Sequence, residues 1–111
     1  MIDYTGLSIK QFEILDDIMD KFDFDSVAQH MKDTNWMWAD NTKSYKNYDD
    51  IKMYLPDVPA IRHELRRMIV DTFKRANETK DMCYVSCGGF TVYTWDDQCH
   101  VHFSIEEYFT D

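Results

Sequence analysis

The sequence predicts an α+β fold, with two to three helices packed on one face of a small antiparallel sheet that carries a long C-terminal hairpin. Two patterns and one composition argue for it. Apolar residues recur at steps of three and four in 8–22, 23–35 and 59–77, the period of an amphipathic helix. They alternate at period two between 82 and 109, the period of a strand with one buried face. With 111 residues, 44% of them hydrophobic and 15% aromatic, the chain has the length and apolar supply of a single domain, 1–111.

The elements follow in order. "SIKQFEILDDIMDKF" (8–22) sets Ile9, Phe12, Leu15, Met19 and Phe22 on one stripe, with Ser8 as N-cap. "DFDSVAQHMKDTN" (23–35) reads as a second helix capped by Asp25, with Val27, Met31 and Thr34 on one face and Asn35 as its stop. "WMW" (36–38) puts Trp36 and Trp38 on one side of a short strand that joins the sheet. The polar, tyrosine-rich stretch 39–57 is either partly helical near 47–54 or functional, since a structureless loop of that length is uncommon in a small domain. "PAIRHELRRMIVDTFKRAN" (59–77) gives the strongest helical stripe: Ile61, Leu65, Met68, Ile69, Thr72, Phe73 and Ala76, opened by Pro59.

The stretch 82–109 reads as two strands turning at Asp96-Asp97, with Gly88-Gly89 a bulge or bend within the first. Placing Val92 opposite Val101 brings Phe90 opposite Phe103 and Thr94 opposite Cys99 on one face. The other face then holds Tyr93 with His100, Thr91 with His102 and Trp95 beside Gln98. One face comes out largely apolar and the other mixed, as a half-buried sheet requires. The 61–76 stripe would cover Phe90, Val92, Val101, Phe103 and Ile105.

Charge narrows the partners. Acids outnumber bases 21 to 12, a net charge of −9. Residues 1–57 hold twelve acids and six bases, 58–80 three acids and six bases, and 81–111 six acids and no base. Such a surface repels nucleic acid and anionic membranes except near the central basic stretch, and attracts a basic protein groove. No segment has the length and apolar character of a membrane span, and the N-terminus lacks a signal-peptide pattern. Three cysteines without an export signal favour free thiols in a cytoplasm.

"DDQCHVHF" (96–103) resembles a metal cluster, but strand alternation sends Cys99 to one face and His100 and His102 to the other. Zinc needs three or four converging ligands, and with Gly88-Gly89 as a bend, Cys83 and Cys87 would lie more than about 20 Å from Cys99. No metal or cofactor is expected. There is no nucleophile elbow, "SCGGF" leads into a strand rather than a phosphate-binding helix, and Glu106 and Glu107 point apart. An enzyme is therefore not expected. Arg62, Arg66 and Arg67 could grip a phosphorylated small ligand. Trp36, Trp38, Tyr45, Tyr48, Tyr54, Tyr93 and Trp95 exceed what a small core hides, and such side chains favour binding surfaces. The expected contact set is Trp36, Trp38, Tyr45, Tyr48, Tyr93, Trp95, His100 and His102, with Arg62, Arg66 and Arg67 as an alternative anion site.

Three segments together, "FDFDSVAQHMKDTNWMWA" (22–39), "VPAIRHELRRMIVDTF" (58–73) and "SCGGFTVYTWDDQCHVHFSIEEY" (86–108), resemble a family of small tailed-bacteriophage proteins without an established activity. The shared pattern is a helix ending in Asn-Trp-x-Trp, a Val-Pro-initiated helix and a Ser-x-Gly-Gly-Phe hairpin ending in an acidic strand. The resemblance implies phage origin and expression in the cytoplasm of an infected bacterium. It also implies action by binding, so that the expected role is antagonism of a host protein or defence complex through an acidic, aromatic surface. The alternative is a homo-oligomer that sequesters a small signalling nucleotide.

Overall fold

The computed structural model describes residues 1–39 and 50–103, and the backbone of 108–110. It has three helices and six strands among these residues: α1 (Ile9–Lys21), α2 (Phe24–Thr34), β1 (Trp38–Ala39), β2 (Met53–Tyr54), α3 (Val58–Thr79), β3 (Cys83–Cys87), β4 (Phe90–Trp95), β5 (Gln98–Phe103) and β6 (Tyr108–Thr110). This is the α+β architecture expected from the sequence. The chain divides into two compact units, one of residues 1–22 with 62–111 and one of residues 23–61.

In the larger unit, β3-β4-β5-β6 form an antiparallel meander in that order. The β4–β5 register is Phe90↔Phe103, Thr91↔His102, Val92↔Val101, Tyr93↔His100, Thr94↔Cys99 and Trp95↔Gln98, as period-two alternation predicts. Phe90, Val92, Val101 and Phe103 are buried, and Phe90 meets Phe103 edge-on at 5.0 Å and Phe22 at 5.7 Å. On α3, Leu65, Met68, Ile69, Thr72, Phe73 and Ala76 are buried as expected, and Val70 joins them. Ile105 lies outside the described residues.

Three expectations for this unit are corrected. Gly88 and Gly89 are no bulge: at φ 61° and 95° they form the two-residue turn between β3 and β4. Positive φ at both central positions is what a twisted two-residue hairpin demands, and glycine meets it without steric cost. The stretch 82–95 is therefore two strands, and Cys83↔Thr94↔Cys99 lie on one rung. Cys83 is two strands from Cys99, about 10 Å rather than 20 Å.

The stripe of α1 is also rotated from the one expected. Ile9 is 80% exposed and Phe12 lies at the surface beside Tyr4, with rings 5.3 Å apart, while Gln11, Leu15, Ile18, Met19 and Phe22 are buried. Gln11 belongs inside because all its hydrogen-bonding capacity is used. Its Nε2 donates to Asn77 Oδ1 and to the Asp96 carbonyl, both at 2.8 Å, and its Oε1 accepts from Ser8 N and Asn77 Nδ2, both at 2.9 Å. With Ser8 Oγ accepting from Gln11 N, this is also the capping box of α1.

Thr94 is the counter-example, fully buried with a hydroxyl that has no hydrogen-bond partner among the described residues. Thr94→Val keeps the shape and removes the unpaired group. It should raise stability by about 1 kcal/mol, and the urea midpoint with it; an unchanged or lower midpoint would show the hydroxyl to be satisfied.

In the smaller unit, α2 is capped by Asp23 rather than Asp25. The Asp23 carboxylate accepts from Ser26 N at 3.0 Å and Ser26 Oγ at 2.6 Å, and Asp25 sits in the first turn. Val27 and Met31 are buried, whereas Thr34 is exposed and donates its hydroxyl to the His30 carbonyl. Asn35 ends the helix in the left-handed conformation, φ 54°. The strand begins at Trp38, not Trp36, and pairs with Met53–Tyr54 in a separate two-stranded sheet rather than joining the larger one. Residues 53–54 are thus strand, and 40–49 lie outside the described residues. Asp57 caps α3, accepting from Ala60 N at 2.9 Å.

The Asp23 cap carries a pH signature. Hydrogen bonds, first from the Ser26 hydroxyl and then from its amide, hold this carboxyl below its ordinary range. Its contribution is complete above the unfolded-state pKa and is lost as pH falls through the lower folded value. Asp23→Asn keeps a capping oxygen but does not titrate. Helical circular dichroism in acid should therefore fall less in this variant than in the wild type, and parallel curves would refute the assignment.

Candidate functional site

Because β3 and β4 are separate strands, the face of the larger sheet opposite Phe90, Val92 and Thr94 carries a wider array than the two-strand reading gave. One rung runs Tyr84–Tyr93–His100 and the next Ser86–Thr91–His102. Tyr84 and Tyr93 rings lie 5.8 Å apart, Tyr93 and His100 6.4 Å apart, and the Ser86 and Thr91 hydroxyls are hydrogen-bonded at 2.8 Å. Tyr84 is 60% exposed and Trp95 36%, while Tyr93, His100 and His102 are half-buried. A sheet face of large, stiff, amphipathic side chains presents contact area at low entropic cost.

Trp95 closes β4 between two hollows. A groove of about 590 Å³ runs beside it, lined by Lys10, Glu13, Ile14, Asp17 and Ile18 of α1 and by Asp97, Gln98, Cys99 and His100. A second hollow of about 440 Å³ is lined by Ala76, Asn77, Lys80, Asp81, Met82, Trp95 and Asp96. Carboxylates therefore flank the indole on both sides, with Lys10 and Lys80 the cations among the lining residues. An aromatic ring bordered by carboxylates suits a cationic side chain, through ring-quadrupole attraction and ion pairing together.

Of the residues expected to form the contact set, Tyr93, Trp95, His100 and His102 share this face. Trp36 and Trp38 belong to the smaller unit, where Trp38 packs edge-on to Tyr54 at 6.4 Å. Tyr45 and Tyr48 lie outside the described residues. Tyr84 was missed. The signal for it was present, since Gly-Gly between two alternating runs is itself a hairpin mark.

Two of the three arginines of the alternative anion site, Arg66 and Arg67, have partners close by. Arg67 is bound by Glu64 and by Asp71 at 3.0 Å, and the Glu64 hydrogen bond is the main reason its guanidinium holds its proton more tightly than usual. Arg66 Nη1 donates to Tyr4 Oη at 3.4 Å, and Arg62 is exposed.

Cys99 shares the sheet face of Val101 and Phe103, and His100 and His102 the opposite one. Among the described residues no three His, Cys, Asp or Glu side chains are placed to hold a metal ion. The Cys99 residue is only half-buried, yet desolvation of its thiol pushes the pKa up to about 12. At pH 8 about one molecule in 10⁴ is then thiolate. A maleimide or disulfide reagent should label the native protein at Cys87 or Cys83 well before Cys99. First labelling at Cys99 would contradict its placement.

No family model matches the chain, and no curated protein and no solved structure matches it.

Proposed function

We propose that the chain is a small binding protein that acts without chemistry of its own, docking a basic segment of a host protein or defence complex on the open face of its larger sheet. The reading rests on one observation: Trp95 lies two residues along β4 from Tyr93, on the sheet face of the Tyr84–Tyr93–His100 rung, between two hollows bordered by acidic side chains. The net charge of −9 would speed encounter with a basic partner and weaken as salt rises. Origin in a tailed bacteriophage, action in the host cytoplasm and an anti-defence role rest on the resemblance of 22–39, 58–73 and 86–108.

The alternative, sequestration of a small nucleotide by Arg62, Arg66 and Arg67, is less favoured because Glu64 and Asp71 already engage Arg67. Native mass spectrometry of the protein purified from bacterial cells separates the two. Apoprotein without a bound small molecule is expected. A co-purified nucleotide, lost on Arg62→Ala with Arg66→Ala, would replace the protein-binding reading.

A further inference from the structure

We propose that the outer edge of β3 is a self-recognition edge, along which two copies of the chain pair antiparallel about Val85 into one eight-stranded sheet. The strand order β3-β4-β5-β6 leaves one side of β3 without a partner strand among the described residues. Exposed edges are normally blunted by lysine, proline or a bulge. Cys83–Cys87, Cys-Tyr-Val-Ser-Cys, has no charge and no proline, and pairs with β4 without interruption. Two of the most exposed apolar side chains sit on or next to it, Met82 at 52% and Tyr84 at 60%.

The sequence suits a two-fold axis normal to the sheet at Val85. All five residues then pair: Val85 with itself, Tyr84 with Ser86 of the second copy, and Cys83 with Cys87 of the second copy. Met82 falls opposite Gly88 of the second copy, where no side chain competes for its space. Asp81 falls opposite Gly89, not opposite another acid, so the seam avoids the repulsion that a net charge of −9 imposes elsewhere. Shifting the register by two residues shortens the ladder to three pairs. Shifting it by one sets the helix-covered face of one copy beside the open face of the other. These arguments favour a second copy over a foreign strand.

A five-residue ladder is a small interface, so association is concentration-dependent. The pairing joins the two open faces, with the two Tyr84 side chains as diagonal neighbours at about 7–8 Å. A doubled surface raises avidity for a partner with repeated basic segments. The inference stands independently of the binding reading.

Sedimentation velocity on the full chain tests it, with the expectation of a monomer–dimer equilibrium. Tyr84→Lys with Ser86→Lys places like charges opposite each other on the exposed face and should leave a folded monomer that still melts cooperatively. Tyr84→Glu with Ser86→Glu should do the same, and mixing the two variants should restore a dimer that contains one of each. The register is read with a short bis-maleimide. Cys83→Ser alone and Cys87→Ser alone should not cross-link at this seam, whereas their mixture should give one Cys83–Cys87 link. A monomer at every concentration overturns the proposal. So does a dimer that survives in either charged variant, or a mixture that fails to cross-link.

Discussion

Phe103→Asp should leave the larger unit unfolded in water, with no cooperative thermal transition. Phe103 is 2% exposed and meets Phe90 at 5.0 Å in the layer that also buries Val92 and Val101. Removing a buried phenylalanine side chain costs about 3–5 kcal/mol. A carboxylate placed in this apolar layer adds several kcal/mol, because it loses its hydration. The sum approaches or exceeds the roughly 5–15 kcal/mol that holds a domain of this size together. Tyr84→Asp is the control on the opposite face of the same sheet. It exchanges one exposed side chain for another and should change stability by less than about 1 kcal/mol. If Phe103→Asp melted cooperatively near the wild-type temperature, the assignment of faces would be wrong.

Gln11→Ala should be the most damaging polar substitution, lowering stability by about 2–4 kcal/mol and the melting temperature by more than about 10 °C. One amide ties three parts of the larger unit together: the N-cap of α1, the last turns of α3 through Asn77, and the β4–β5 turn through the Asp96 carbonyl. Truncation leaves these partners unpaired in a part-buried site, which costs more than the bonds themselves contribute. A double-mutant cycle with Asn77→Ala should return a coupling of about 0.5–3 kcal/mol, since the two amides exchange two hydrogen bonds. Additive effects would mean that the amides act separately.

These two residues mark how far the sequence could be read. Phe103 was legible because strand alternation is strict, and fixing Val92 opposite Val101 determined the face of every residue from Phe90 to Phe103. Gln11 was not, because a polar residue in an apolar stripe breaks the pattern that locates the stripe. Without the Asn77 and Asp96 partners, nothing favours Gln11 over Phe12 as the buried position. Gly88-Gly89 is a different case: a glycine pair between two alternating runs marks a two-residue turn, which the bulge expectation overlooked. Choosing the bulge merged β3 with β4, hid Tyr84 from the open face and set Cys83 too far from Cys99. The short Trp38–Ala39 strand carried no information about its partner, since two residues have no usable period. The site was legible in composition, as an excess of aromatics over an acidic background, and in the Tyr93, Trp95, His100 and His102 grouping. The flanking hollows depend on where α1 and the end of α3 come to rest, and these contacts are long-range in sequence.

Capture from bacterial lysate, with wild type and variants side by side at low and high salt, tests the binding surface most directly. The wild type should retain a basic protein at low salt and release it at high salt. Trp95→Ala should lose it without loss of fold, and Arg62→Ala with Arg66→Ala should retain it. Undiminished capture by Trp95→Ala, or loss confined to the arginine variant, would contradict the account.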